Sequence, residues 1–482
     1  MTRLRILTRT VAAAAVLASL AACTAGPDFR GPATPVPSGY LMKGDAPAPA
    51  SPRIADGQRA AGRWWTSFGS PELDAVVDQA LTDSPTLQEA DATLAQARAQ
   101  ADVVRGNSRP QVDANAGLQR ERINIAAFGL PGFSNPTFWL YSIGTTVGYD
   151  LDLAGGNRRA VEGAKAQSEA QSWRADAAYM TLTSNVVQEA VAIASLRAQI
   201  AALERAVSDD RDTVEMTRKA IEAGGAAPST QVGATTQLAQ DSALLPPLRQ
   251  QLAEARHRLA VLVGHAPSDW AAPDFDLAKL NAPSEIPVSL TSDLVHDRPD
   301  IRAAEADLHA ATANIGVQAA KLYPDVRLSA GWQQGALSPD QIVNYDFAGW
   351  NIGPQLTVPV FRSGALKAGQ RQAEAAAKAS LARYKTVVLQ AFLQVADSLE
   401  ALTHDNDELM AQQQAVDSAT SNLRDARLAF KEGGGTLLEM IDAQRQLNQA
   451  RRNYAAAQGQ KLLDTARLFA ATASDWRRVE AK

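Results

Sequence analysis

The chain is written twice. Asp83-Ser84-Pro85 through Gly117 aligns without gaps to Asp297-Arg298-Pro299 through Gly331 at a constant offset of 214 residues. Identities include Pro85/Pro299, Ala90/Ala304, Leu94/Leu308, Val103/Val317, Pro110/Pro324, Val112/Val326 and Gly117/Gly331. Past a five-residue difference in one loop the offset becomes 209. It then matches Ile143-Gly144 to Ile352-Gly353, Gly155 to Gly364, Gly224-Gly225 to Gly433-Gly434 and Leu238 to Leu447. A repeat held in register over such a span constrains the fold more than any local pattern, because both copies must adopt one supersecondary unit. Each copy reads helix, strand, strand, long helix, Gly-rich turn, long helix. The repeats are placed at 63–283 and 284–474, followed by a tail over 475–482.

The strands alternate. Val112, Ala114, Ala116 and Leu118 fall on one face, against Asp113, Asn115, Gly117 and Gln119 on the other. Trp139, Tyr141, Ile143, Val147, Tyr149 and Leu151 oppose Ser142, Gly144, Thr146, Gly148 and Asp150. The second copy repeats this with Val326, Leu328, Ala330 and Trp332, then with Trp350, Ile352, Leu356, Val358 and Val360. Segments of about ten residues, apolar on one face and polar or Gly on the other, suit a transmembrane barrel. A half-buried sheet in a soluble sandwich would alternate in the same way. Four strands cannot close around a lumen, so the membrane reading requires several chains.

The first helix of each copy is expected over about Pro71 to Gly106 and Ser292 to Leu322, each followed by a Pro that opens a strand. After Gly156 no Pro occurs until Pro228. A helix from Asn157 to Ala223 would be on the order of 100 Å long at 1.5 Å per residue. Ile193, Ile200, Val207, Val214 and Ile221 recur every seven residues, and Leu402, Leu409, Val416, Leu423 and Phe430 occupy the matching positions. A strict seven-residue period implies left-handed supercoiling against neighbouring helices. A lipid-anchored periplasmic coiled-coil scaffold is the alternative that these helices alone would allow.

The N-terminus carries Arg3, Arg5 and Arg9 ahead of an apolar run from Val11 to Ala22, the pattern of an export signal over residues 1–22. It closes on Leu20-Ala21-Ala22-Cys23, which resembles a bacterial lipobox. Cys23 is the one cysteine of 482 residues, so a disulfide framework is excluded and lipidation is expected there. Thr24, rather than Asp, follows the cysteine, which by resemblance to Gram-negative lipoproteins implies sorting to the outer membrane. Residues 23–62 read as an anchored, extended Pro-rich tether, with ordered structure starting near Trp64-Trp65. Without the three signal arginines, 44 basic residues face 52 acidic ones, a poor balance for binding nucleic acid. No later segment approaches the ~18 consecutive apolar residues of a membrane helix.

Five pieces in order resemble the outer membrane factor family, the TolC-like channels, and within it the lipoprotein branch that serves resistance-nodulation-division efflux pumps. They are Cys23 through Phe29; Trp65 and Phe68 before Pro71-Glu72-Leu73; Ser292-Asp293-Leu294; Arg298-Pro299-Asp300-Ile301-Arg302-Ala303-Ala304-Glu305; and Leu437 through Arg445. The resemblance implies an α+β membrane protein. Three chains would each give four strands to a 12-stranded transmembrane barrel, continued by a periplasmic α-helical coiled-coil barrel. It further implies a homotrimer in the outer-membrane lipid, working with a periplasmic adaptor and an inner-membrane transporter to export drugs or other small molecules. The helix tips that meet the adaptor would lie beside Gly224, Gly225, Gly433, Gly434 and Gly435.

By the same resemblance, Glu439 and Asp442 would ring the periplasmic constriction, with Leu438 and Arg445 beside them. Their first-copy counterparts are Thr230 for Glu439 and Gly233 for Asp442, so one copy alone carries the acids. Threefold repetition would gather these carboxylates around one axis and attract cations. Thr436-Leu437-Leu438-Glu439 is also a capping-box sequence, which gives Glu439 a purely local role. Where some relatives carry a basic residue after the Gly of this turn, Gly435 stands here. His257, His265, His296, His309 and His404 show no metal-ligand spacing, no Gly-rich loop has a phosphate-binding pattern, and the carboxylates are scattered along helices. No enzymatic activity, cofactor or metal is expected.

Overall fold

The computed structural model describes residues 24–33, 37, 39–44, 53–58, 62–129, 132, 134–288 and 291–472. The signal segment, Cys23 and the tail 475–482 lie outside them. Helices are α1 (Pro71–Asp83), α2 (Pro85–Asn107), α3 (Gly156–Glu222), α4 (Pro228–Val263), α5 (Thr291–Asp297), α6 (Pro299–Ala320), α7 (Ala365–Lys431) and α8 (Leu437–Ala471). Strands are β1 (Arg53–Asp56), β2 (Gln111–Arg122), β3 (Thr137–Asp150), β4 (Glu285–Val288), β5 (Asp325–Ala336) and β6 (Ala348–Thr357). The two copies share one order of elements. Their longest helices, α3 and α7, each have 67 residues.

Three expectations are corrected. The first helix of each copy is two helices, broken at Ser84 before Pro85 and at Arg298 before Pro299, because a residue preceding proline is disfavoured in helical conformation; Ser84 adopts φ −63°, ψ 123°. The last strand ends at Thr357, so Val358 and Val360 lie beyond it; Thr357 already pairs with Asp325, the first residue of β5, which leaves the next residues no partner in that strand. Structure begins before Trp64. Arg53–Asp56 pairs in parallel with Glu285–Val288. The chain's two compact units each draw on both repeats. Of the described residues, one unit takes those within 24–33, 93–171 and 303–384, and the other those within 37–92, 172–302 and 385–472.

The first unit holds a four-stranded antiparallel sheet in the order β2-β3-β5-β6. Its register sorts the side chains. Val112, Val147, Ala330 and Ile352 pair across the strands in one row, and Ala114, Thr145, Trp332 and Trp350 in the next row on that face. The intervening rows are Asp113, Thr146, Gly331, Asn351 and Asn115, Gly144, Gln333, Gly349. Since paired residues project to the same side, one face is apolar and the other polar. The apolar side chains are not covered within the chain: Val112, Trp350, Ile352 and Leu356 are 64% to 76% exposed.

The second unit is helical. A short 3-10 turn, Trp64–Phe68, places three aromatic rings in its core, and Trp64 stacks on Phe469 of α8 at 5.3 Å between ring centroids. Ser70 then caps α1 by accepting from the Leu73 N–H at 3.3 Å, with Pro71 at the first helical position, the sequence arrangement that starts helices. Every heptad position is buried or half-buried: Ile193, Ile200, Val207, Leu402 and Leu423 are buried, while Val214, Ile221, Leu409, Val416 and Phe430 are half-covered. By average hydropathy α3 is long and apolar enough to cross a membrane. Asn185, Gln188 and Glu189 interrupt its apolar stretch, and Val186, Val187, Ala190, Val191 and Ile193 are fully buried in the helical core.

Phe469 is 3% exposed. Phe469→Ala is expected to destabilise the protein by about 3–5 kcal/mol, the usual range for deleting a buried aromatic, read as a lower denaturant midpoint. Leu438→Ala, at a 58% exposed position, should stay within about 0.5 kcal/mol in the same measurement.

Candidate functional site

The two helix tips are built alike. At the end of α3 the Gly225 N–H donates to the Ala220 carbonyl at 2.8 Å and the Gly224 N–H to Ile221 at 2.9 Å. At the end of α7 the Gly434 N–H donates to Ala429 at 2.9 Å and the Gly433 N–H to Phe430 at 3.2 Å. These bonds close the last helical turn, which requires a left-handed residue after the helix. Gly224 has φ +74° and Gly433 φ +77°, where a side chain would be strained. The predicted tip glycines are therefore helix terminators in both copies.

The chain restarts differently at the two tips. Before α4, Ala227 makes no side-chain cap and Pro228 opens the helix. Before α8, Thr436 and Glu439 form a complete capping box: the Thr436 N–H donates to Glu439 Oε2 at 2.7 Å, and the Glu439 N–H donates to Thr436 Oγ1 at 3.2 Å. The Thr436 backbone N–H, reinforced by its hydroxyl, holds the Glu439 carboxyl below its ordinary value. The local role foreseen for Glu439 is thus present.

Leu438, Asp442, Arg445 and Gln449 recur at helical spacing along one exposed stripe of α8. Asp442 pairs with Arg445 at 3.3 Å, both about half exposed. The opposite side of α8 buries Leu437, Met440, Ile441 and Leu447 against Ala419 and Leu423 of α7 and against Met216 and Ala220 of α3. Buried Gln444 fixes the rotation of α8, donating to Asp209 of α3 at 2.8 Å and accepting from Arg427 of α7 at 2.7 Å. All four residues proposed for the constriction therefore lie on a face that the chain itself leaves uncovered.

The sequence reading missed two buried carboxylate pairs. Asp210 of α3 faces Asp241 of α4, and Arg452 of α8 reaches Asp241 at 3.1 Å. Burial, with repulsion from Asp241, pushes the Asp210 carboxyl up to about 6. Asp405 of α7 faces Asp464 of α8; burial and a hydrogen bond shared with Asp464 push Asp405 up to about 7. Burial lowers Lys461 beside it, against the attraction of Asp405. The repeat held the signal. Asp210 and Asp241 correspond to buried Ala419 and Ala450, while Asp405 and Asp464 correspond to Leu196 and buried Ala255. Acids that align with interior apolar residues are acids in an interior.

An open, two-faced sheet joined in the chain to pairs of long helices defines the fold of an outer-membrane channel with a helical extension. The solved structure of the outer-membrane channel OprN shares it at a TM-score of 0.85 and 26% identity, covering 94% of this chain and 100% of that one. The chain belongs to the outer membrane efflux protein family, whose model matches residues 76–265 and 290–474, one segment in each repeat. That family is one of efflux proteins, not of enzymes. The pyoverdine export outer membrane protein OpmQ of Pseudomonas aeruginosa is 30% identical over 89% of this chain and 91% of its own length. The probable outer membrane lipoprotein SilC of Salmonella typhimurium is 25% identical over 95% and 96%.

Because Asp405 titrates near 7 in the fold, against an ordinary value of 3.8, the folded protein retains a proton that the unfolded chain releases. The associated stability is complete below about pH 4 and is lost as pH rises through about 7. The denaturant midpoint should therefore fall between about pH 4 and pH 7. Asp405→Asn, which cannot ionise, should reduce that fall; an unaltered slope would refute the shared proton.

Proposed function

We propose that three copies of this chain form the outer-membrane duct of a tripartite efflux pump, a passive exit for small molecules driven by an inner-membrane transporter through a periplasmic adaptor. The observation that carries the reading is the register of the sheet: where all four strands pair, the rows through Val112 and Ala114 set apolar side chains on one face, and the rows through Asp113 and Asn115 set polar side chains and glycines on the other. The apolar face suits lipid and the polar face a water-filled lumen. Within the chain β2 and β6 are the sheet's two edges, and lipid tolerates no unpaired strand edge. Three sets of four strands would give a closed barrel of twelve. The half-covered heptad positions of α3 and α7 support helical contacts between copies.

In this reading the exposed stripe of α8 lines the periplasmic constriction. Asp442, paired with Arg445 three residues on, is its principal acid. Glu439 contributes less, since capping already occupies its carboxylate. Cys23 carries the lipid after removal of residues 1–22. The probable outer membrane lipoprotein SilC, aligned over nearly the whole length, supports that assignment.

In planar bilayers the purified channel should conduct weakly and prefer cations. Asp442→Asn should reduce that preference several-fold, Glu439→Gln less, and Arg445→Ala should increase it. Unchanged selectivity in the Glu439→Gln/Asp442→Asn double variant, with assembly intact, would remove these acids from the constriction. Chemical cross-linking should stop at three chains; a limit of two would end the barrel. Mass spectrometry of envelope protein should find a lipid-modified Cys23 at the N-terminus, and an unmodified thiol there would refute the anchor.

A further inference from the structure

The segment that follows Cys23 is seated in a built groove. In the first unit, the Ala25 N–H donates to the Ala154 carbonyl at 2.8 Å. Arg159, whose side chain is 5% exposed, donates from Nε to the Ala25 carbonyl at 3.2 Å and from Nη2 to Asp28 Oδ1 at 2.5 Å. Its Nη1 donates to Glu162 Oε2 at 2.7 Å, and Glu162 Oε1 lies 3.0 Å from His309 Nε2. Burial, which would raise the Glu162 carboxyl, is outweighed by these two partners, and it titrates below its ordinary value. The other ring face of the assembly is Phe29, stacked on His309 at 4.4 Å and 14°.

The backbone contact is equally specific. Gly26 has φ +83°, and a Cβ there would lie 2.5 Å from the Gly316 Cα; a Cβ on Gly316 would lie 2.7 Å from the Ala25 carbonyl oxygen. Two chains approach this closely only where both residues are glycine. Among the described residues the groove has no duplicate. The positions in the other copy that correspond to Arg159, His309 and Gly316 are Ala368, Ala95 and Asp102, which offer no guanidinium, no ring and no room.

We propose that this groove between α3 and α6 is a docking site for the chain's own acylated N-terminal segment. Seating Thr24–Gly31 there sets the lipid at the end of β3 and clasps the first repeat to the second. Thr24 lies against Gly155, where a Cβ would meet its Cγ2 at 2.8 Å, and Gly155 follows β3 by five residues. The acyl chains therefore enter the bilayer at the rim of the sheet, not from the end of a free tether. Because α3 belongs to one repeat and α6 to the other, the segment joins them through Arg159 on one side and His309 and Gly316 on the other. The lipid part rests on acylation of Cys23; the clasp does not.

The test uses full-length protein extracted from the outer membrane into detergent, so that both ends of the sheet are open to protease, and trypsin, which cuts after Arg30 within the seated segment. A seated segment resists because a protease needs several extended residues on each side of the bond. Wild-type protein should be cut slowly. Gly26→Ala and Arg159→Ala should be cut at least about tenfold faster, and Arg159→Lys should fall between. Gly44→Ala, also at a positive φ (+108°) but with nothing near its Cβ, should match wild type. The released peptide Cys23–Arg30 reports acylation by its mass. Cleavage of Gly26→Ala at the wild-type rate would overturn the docking site, and this variant decides alone if Arg159→Ala does not assemble, because Gly26 lies outside the helices. A fast-cut variant yielding an unacylated peptide would confirm the clasp and overturn the lipid placement together with the anchor assignment.

Discussion

A β-sheet with four strands ends in two rows of peptide groups that nothing in its own chain can satisfy. In water such edges are a liability; in hydrocarbon each unmet group carries several kcal/mol of penalty. β2 and β6 are edges of this kind, 12 and 10 residues long, and the uncovered apolar face beside them compounds the problem. In the proposed barrel a single chain is therefore an incomplete object at its sheet. The same logic reaches the helices, where five heptad residues are only half-covered. The chain's sequence specifies its neighbours as firmly as its own interior.

The two repeats have kept their backbone and divided their chemistry. Both end their long helices in a left-handed glycine with the same pair of hydrogen bonds. Yet only the second restarts with a capping box, only the second carries Asp442 and Arg445, and each places a buried acid pair where the other has apolar residues. A buried carboxylate pair is a poor source of stability, since both ions lose hydration and repel. Its presence between α3 and α4 in one copy, and between α7 and α8 in the other, gives each hairpin its own dependence on protonation.

Much of this was legible in the residues because it depends on periodic or local rules. Alternation identified the four long strands and the face of each residue, the Gly doublets located both tips, and Thr436 with Glu439 announced its cap. The breaks at Ser84 and Arg298 were also encoded, in Pro85 and Pro299; the helical period on either side simply masked them. What could not be read depends on partners far apart in sequence. Nothing in Arg53-Ile54-Ala55-Asp56 points to a parallel partner at Glu285–Val288, and nothing local marks Thr24–Gly31 as a seated segment. The seat exists because Arg159, His309 and Gly316 converge in space. The stripe proposed for the constriction is intermediate: the helix period places Leu438, Asp442 and Arg445 on one face, but only packing shows which face remains open.

The equal length of α3 and α7 has an evolutionary consequence. An α-helix turns by about 100° per residue, so inserting one residue within either would swing every side chain beyond it off its seam, and a partial repair would need a further two or three residues. Point substitutions are absorbed one contact at a time; changes of length are not. A chain built this way is free to drift in composition, as its 25–30% identity to aligned relatives illustrates, while the residue count between strand end and tip is confined to steps of whole turns. For such a protein the ruler is inherited more strictly than the text written along it.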